Sequence, residues 1–306
     1  MSIAVTGSHP QYGGKQNGAF IPELWSGSLL VKFYDATLFG SITNTDYQGM
    51  IQDKGDKVII RTKPDLSVHN YSKGMSLSYE APTSQEVELT IDHAKYFAFE
   101  IKDVDEVQSD INLLNAFSED GSTQLKIAID SQILGSIYSQ AHAKNAGATA
   151  GRISGDINLG TAAAPVDLTS ANILDLIVDF GTVLDEQNVP EAGRFIVLPA
   201  WACALIKKSE LRDASLSGDG KSMLRNGRIG SVDRFTLYSS NLVHSDAGKF
   251  DIIAGHSLAT TFATQITKME TVRNTSDFGD YIRALQVFGF KVLKPEALCH
   301  AVVKKA

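Results

Sequence analysis

The residues of this 306-residue chain best suited to chemistry are few, and they are poorly arranged for it. Gly220-Lys221-Ser222 is the end of a phosphate-cradling loop, in which backbone amides and one lysine hold the phosphates. Position 215 carries Ser where the first glycine of that loop belongs, and no buried strand immediately precedes it. The seven histidines, His9, His69, His93, His142, His244, His256 and His300, fall in neither HxH nor HExxH spacing and in no paired Cys-His pattern. Cys203 and Cys299 sit among apolar neighbours, which suits two buried thiols better than a nucleophile or a ligand pair. No GxSxG elbow presents a serine nucleophile, and no GxGxxG opens a helix after a strand. An α/β enzyme with a site around Asp179, Asp185 and Arg194 is the alternative from another class, but sequence gives these groups no mutual geometry. The expectation is therefore no catalytic residue, no cofactor and no metal.

The acidic cluster Asp103, Asp105, Glu106 and Asp110 reads the same way. It crowds the start of a helical pattern, where carboxylates cap free amides and meet the positive end of the helix dipole. A calcium site would want a closed loop with a bidentate Glu instead. The pattern itself organises the chain. Apolar residues recur at Val107, Ile111, Leu114 and Phe117, and again at Leu125, Ile129, Ile133, Ile137 and Tyr138. This predicts one amphipathic rod over Asp105–Ala143, about 40 residues and roughly 55 to 60 Å long. Gly121 and Ser122 interrupt its apolar face and predict a bend midway.

Around the rod the chain divides into five parts. Residues 1–55 are a polar arm followed by a short helix over Pro22–Leu38, whose apolar side includes Leu24, Trp25, Leu29, Phe33 and Leu38. Residues 56–102 change to period two. DKVIIRTK is a strand, a polar segment leads to MSLSYE, Ala81-Pro82-Thr83-Ser84 signals a turn, and EVELTIDHAKYFAFEI runs back. In the returning strand Val87, Leu89, Ile91, Phe97, Phe99 and Ile101 share one parity. A long hairpin of this kind is marginal alone, and nothing earlier in the chain looks able to cover its apolar face, which points to a neighbouring molecule. Residues 103–166 hold the rod and a loop rich in Gly and Ala.

Residues 167–266 read as an α/β lobe. Asp167, Thr169 or Ser170 caps a helix burying Ile173, Leu174, Ile177, Val178 and Val183; RFIVLP is a buried strand, AWACALIKKSEL a helix, DRFTLYSSNLV and KFDIIAG strands, and HSLATTFATQI a helix. Residues 267–306 supply two or three return strands that complete the layer of the rod.

Composition bounds the function further. A net charge of −7 argues against tight nonspecific nucleic-acid binding, which works through clustered Lys and Arg. No run approaches the 18 or more apolar residues of a membrane span, and no membrane partner is expected.

Taken in order, polar arm, extended hairpin, rod, α/β lobe and return strands, the chain resembles the major capsid protein of tailed bacteriophages, whose shell fold is shared with encapsulins and the herpesvirus capsid floor. The resemblance rests on GDKVIIRT, EVELTIDHAKYFAFEIKDVDEVQSDINLL, NVPEAGRFIVLPAWACALI and SDFGDYIRALQVFGFKVLKPEAL, in that order and spacing. It implies an α+β fold with an N-terminal arm, an E-loop hairpin, a spine helix and sheet of the P-domain, and an α/β A-domain. It also implies pentamers and hexamers of an icosahedral shell in the virion, assembled in the bacterial cytoplasm and in loose contact with packaged double-stranded DNA. A portal belongs to that picture. Because the hairpin begins near Asp56, no room remains for an amino-terminal scaffolding domain, so a separate scaffolding protein is expected. The expected inter-subunit contacts of E-loop and arm are Trp25, Val87, Leu89, Ile91, Phe97 and Phe99. An encapsulin-type compartment shell is the alternative within the same fold.

Overall fold

The computed structural model describes residues 4–5, 10–11, 38–47, 57–61, 64, 66–81, 86–103, 113–209 and 231–306. Trp25 and most of the expected short helix, the first turns of the rod and Gly220-Lys221-Ser222 lie outside the described residues. In the arm, Ala4–Val5 (β1) pairs with Pro10–Gln11 (β2), and the root of the arm closes in one helical turn, Phe39–Ile42 (α1).

The rod, α2, is described over Leu113–Ile137, 25 residues, and continues into a 3₁₀ turn at Tyr138–Gln140. At 1.5 Å per residue this stretch is about 37 Å long. Ile129, Ile133, Leu134 and Ile137 are fully buried, spaced along one side of its second half. Gly121 neither breaks nor ends the helix. A Cβ at Gly121 would stand 2.8 Å from a ring carbon of Phe97, so the glycine is the seat of an aromatic ring lying across the rod. Asp103, expected among the capping carboxylates, pairs instead with Arg273, Oδ1 to Nη1 at 2.7 Å.

A seven-stranded mixed sheet forms the centre of the lobe. It is built from Val166–Leu168 (β6), Arg194–Leu198 (β7), Ser231–Val232 (β8), Phe235–Ser239 (β9), Ser245–Asp246 (β10), Lys249–His256 (β11) and Leu298–Lys305 (β14). The order is β6-β14-β11-β7-β9-β8, with β10 paired to β11. The helices Ile173–Glu186 (α3) and Ala200–Lys208 (α4) cover one face, against Ile196, Leu198, Phe235, Ile252 and Val303. The second half of the rod and α1 cover the other, against Phe195, Val197, Ile253 and Leu298. Both faces are therefore dry, which is why every residue of RFIVL in β7 is buried and why that strand reads as a continuous apolar run.

The second sheet is antiparallel, in the order β12-β13-β5, from Thr260–Arg273 (β12), Gly279–Val292 (β13) and His93–Lys102 (β5). Three expectations change here. HSLATTFATQI does not continue as a helix; Thr260, Thr261, Thr264, Ile266 and Thr267 are β-branched, and β12 pairs along its length with β13. The last strand, β14, does not complete the rod's layer but enters the lobe sheet between β6 and β11. The α3 cap also differs: Asn172 stands at that position, its Oδ1 accepting the Thr169 amide at 2.8 Å, and Val178 is 52% exposed rather than buried.

The returning strand of the hairpin also splits. Glu86–Thr90 (β4) pairs with Lys57–Arg61 (β3), whereas His93–Lys102 joins β13. The chain changes sheets at Ile91-Asp92, where His93 and Lys95 interrupt the apolar parity.

Candidate assembly surfaces

The hairpin has a dry base and a wet tip. At its base Val58 and Ile60 stand opposite Leu89 and Val87, and this side packs on Ala263, Val287 and Leu293 of the same chain. Leu89 is fully buried and Ile91 nearly so. Close approach of β4 to the second sheet needs Gly289, where a Cβ would collide with the Thr90 carbonyl. On the other side Lys57 pairs with Glu88 at 3.2 Å and Arg61 with Glu86 at 3.8 Å, exposed pairs of small energetic value.

These contacts cover part of the expected inter-subunit set within the chain itself. Leu89 and Ile91 are taken up by the chain's own sheet, with Val87 half-buried beside them. Phe97 and Phe99 lie half-buried between their sheet and the rod; Phe97 stacks on Phe99, and Phe99 meets Phe117 edge-on with ring centroids 5.8 Å apart. Trp25 lies outside the described residues. The reason is the change of sheets at Ile91-Asp92: each half of the alternating run finds a partner within the subunit.

The uncovered apolar surface lies instead between the two strands of the hairpin. Residues 66–81 are exposed throughout and pair with no strand among the described residues. Within them Leu66, Val68, Tyr71, Met75, Leu77 and Tyr79 are open to solvent, Val68 at 97% and Tyr79 at 88%. Met75, Leu77 and Tyr79 alternate with Ser76, Ser78 and Glu80, the two-residue period of a strand with one apolar side. That signal was legible in MSLSYE, but the Ser, Asn and Lys around it gave the segment a polar reading. Glu80 accepts the Ser67 amide at 3.2 Å, tying the two legs of the tip together, and the Ser67 hydroxyl and amide lower its carboxyl pKa.

A second open surface is the face of the β12-β13-β5 sheet turned away from the rod. Register places Tyr96, Leu285 and Lys268 in one row across the three strands, Ala98, Arg283 and Glu270 in the next, and Tyr281 opposite Val272. Tyr96 is 77% exposed, and Val272, Tyr281 and Leu285 are also exposed. Glu270 receives both Arg283, at 2.7 Å, and Lys268, and these two cations hold its carboxyl below the usual range. A groove of about 450 Å³ runs over Tyr96, Ala98 and Leu285 beside this charged trio. The face is therefore an apolar strip rimmed by paired charges, which suits contact with another protein surface.

The groups singled out for chemistry have structural employment. Arg194 is wholly buried and donates to Asp185 at 2.6 Å and to the carbonyls of Val189 and Pro190, fastening the end of α3 to the head of β7. Arg234 holds the other oxygen of Asp185 at 2.9 Å; burial pushes that carboxyl up, and the two guanidinium groups bring it net below its ordinary value. Asp179 is raised by burial and by Asp175 and Asp156, and the bonds of Arg194 go to Asp185, Val189 and Pro190 instead. His244 and His300 both meet Asp251, at 2.6 and 2.7 Å, and His256 lies 2.7 Å from the Ala192 carbonyl. Burial pushes both the Cys203 and Cys299 thiols up, away from reactivity. Among the described residues no cluster of His, Cys, Asp or Glu is placed to hold a metal, and no helix is long and apolar enough to cross a membrane.

Comparison with known proteins bears on the chain as a whole. A family model described as phage capsid protein matches residues 86–301. A solved structure from Mycobacterium phage Che8 superposes with a TM-score of 0.78 at 30% identity, covering 93% of this chain and 97% of that one. The capsid structure of the cyanophage P-SCSP1u gives 0.74 at 16% identity, covering 96% of each chain, and the capsid of a native GTA particle gives 0.72 at 13%, covering 95% of this chain and 99% of that one. At those lower identities the likeness is one of fold. No curated protein sequence matches the chain.

Proposed function

Because the chain belongs to the phage capsid protein family, we propose that its hairpin tip and the open face of its second sheet are two halves of one contact, repeated between sister copies until a shell closes. The protein is a structural major capsid protein of a bacteriophage with an α+β fold. The family match gives no support to an encapsulin-type compartment or an α/β enzyme.

The observation that carries the proposed contact is the pairing of a dry base with a wet tip. Two different patches of one subunit, each apolar and each uncovered, make a heterologous contact, and such contacts propagate around a ring until rotation closes it. Pentamers and hexamers of an icosahedral shell are the closed forms we assign to it, with the E-loop of one copy lying on its neighbour. A separate scaffolding protein and a portal complete the assembly, which takes place in the bacterial cytoplasm. The interior encloses double-stranded DNA held loosely, in keeping with a net charge of −7 that offers no excess of cations to phosphate. No reaction is assigned to the protein, since its buried acids, thiols and guanidinium group all serve packing.

Electron microscopy of the purified chain, expressed alone and with its scaffolding partner, tests the reading. Closed shells are expected from the native chain and not from Leu285→Asp with Tyr96→Asp, which charge the receiving face. Shells formed equally well by that variant would remove the sheet face from the contact.

A further inference from the structure

We propose that the hairpin tip is a ribbon of fixed register, open in the free subunit, that closes when the side carrying Leu66, Val68, Met75, Leu77 and Tyr79 docks on a sister copy. This rests on the reading of the tip as a contact surface, and it adds which side makes the contact and what the contact does to the chain. Separate observations give one register. At the base, β3 and β4 pair Lys57 with Thr90 through to Arg61 with Glu86. At the apex the Met75 amide donates to the Ser72 carbonyl at 3.2 Å, and Gly74, with a φ of 92°, completes the turn with Lys73. Eleven positions lead from Arg61 to Ser72 and eleven from Met75 to Glu86, so the base ladder and the apical turn share a register that needs no bulge. Between them Glu80 accepts the Ser67 amide through its side chain, and these two residues stand opposite each other in that same register.

The side chains agree with that register and with neither of its neighbours. Paired this way, Leu66, Val68, Met75, Leu77 and Tyr79 fall on the side that carries Val58, Ile60, Val87 and Leu89 at the base. Ser67, His69, Ser76, Ser78 and Glu80 fall on the other side, in line with the Lys57–Glu88 and Arg61–Glu86 pairs; within the tip Tyr71 is the one large apolar group there. A slip of one residue on either leg would move Met75, Leu77 and Tyr79 to the side of Ser67 and His69 and divide the apolar set. At the base the apolar side is buried on Ala263, Val287 and Leu293 of the chain's own second sheet. Its continuation along the tip has no such cover, and the strip over Tyr96 and Leu285 of a sister copy offers apolar surface to match.

Local chemistry keeps the ribbon open in the free subunit. Among the described residues, 66–81 share a single backbone bond, that of the turn. Negative φ at Lys73 followed by positive φ at Gly74 makes the turn type II, whose twist splays the strands it joins. Pro64 has no amide to donate, so the base ladder cannot pass into the tip unbroken. A two-stranded ribbon with neither side covered is marginal in water. Docking and pairing are therefore one step: the apolar side is continuous only when the legs pair, and the pairing holds only when that side is covered.

Cysteines on the outward side read the pairing without entering the contact. The pair His69→Cys with Ser78→Cys stands directly opposite in this register, whereas His69→Cys with Ser76→Cys lies two residues out of it. Free subunits and closed shells of each double variant are placed in one glutathione redox buffer, and the intramolecular disulfide is followed by peptide mass mapping. The in-register pair should form about tenfold faster in shells, and the offset pair should show no such gain. Equal rates in shells and free subunits, or a gain confined to the offset pair, would overturn the proposal. Lys73→Asn puts Asn-Gly at the turn and should let the in-register pair close in the free subunit at the rate seen in shells. Fast closure in that variant with no gain in native-turn shells overturns closure on docking and places the fault in the contact; slow closure in it overturns the register.

Discussion

Replacing Leu77 and Tyr79 together by Ser separates assembly from folding more cleanly than any other change at the tip. Neither side chain touches the core; Leu77 is 59% exposed and Tyr79 88%. Fully burying a side chain of this size is worth about 1.5 to 3 kcal/mol, and the exposed fractions scale that to about 3 kcal/mol for the pair at each contact. This corresponds to roughly 150-fold in a single contact, and each subunit would give one such contact and receive one. Because the lost area is open in the isolated subunit, its urea midpoint should be unchanged within about 0.5 kcal/mol. The assay is light scattering across a concentration series, with electron microscopy of the end point, on native and variant chains. The critical concentration for shells should rise by one to two orders of magnitude at least, since losses multiply around a closed ring. A variant that assembles at the native concentration, or that loses assembly only because its urea midpoint has collapsed, would refute the assignment of the tip as a contact surface.

Three further expectations concern the subunit itself. Gly121→Ala should gain about 1 kcal/mol of helix propensity yet lose more by overpacking against the Phe97 ring, for a net loss of about 1 kcal/mol, and Phe97→Leu should recover part of it; urea denaturation of the two variants and their combination checks this. Arg194→Met should cost about 3 kcal/mol, chiefly because the Val189 and Pro190 carbonyls lose their donor, while the half-exposed Asp185 keeps Arg234; chemical denaturation reads the loss directly. Asp130→Asn should stabilise the subunit by about 1 to 3 kcal/mol at pH 7.5, where the native carboxylate is charged and buried. The sign follows from a folded value of about 6 lying above the unfolded 3.8: native stability grows as pH falls from 6 toward 4, and the variant should lack that slope in thermal melts across the same range.

Elements governed by local periodicity were legible in the chain and those governed by distant partners were not. The rod and the lobe's α3, β7 and α4 followed from spacing alone, because each buries a face set by its own repeat. HSLATTFATQI offered Leu258, Phe262 and Ile266 at helical spacing, and only the presence of β13 beside it decides for a strand. Gly121 carried a break signal that a ring from another element converts into a packing site. At Ile91-Asp92 the signal was His93 and Lys95, which interrupt the apolar parity where the strand leaves one sheet and enters another. Sequence could not tell which alternating residues would find cover at home: Leu89 and Ile91 do, while Leu77 and Tyr79 do not.

That division exposes the physical requirement behind the hairpin. An extended segment that must present Leu77 and Tyr79 to a neighbour loses conformational entropy on docking unless it is held beforehand, and a hairpin free at both ends would lose the most. Burying Leu89, Ile60 and Ile91 on the subunit's own sheet fixes both legs of the hairpin before any neighbour arrives. The Glu80 bond to the Ser67 amide extends that constraint past the last paired residues. Intramolecular burial at the base and uncovered apolar surface at the tip are thus complementary demands: the first lowers the ordering cost of the second. A capsid subunit built this way can make each contact weak enough to correct and still close a stable shell through their number.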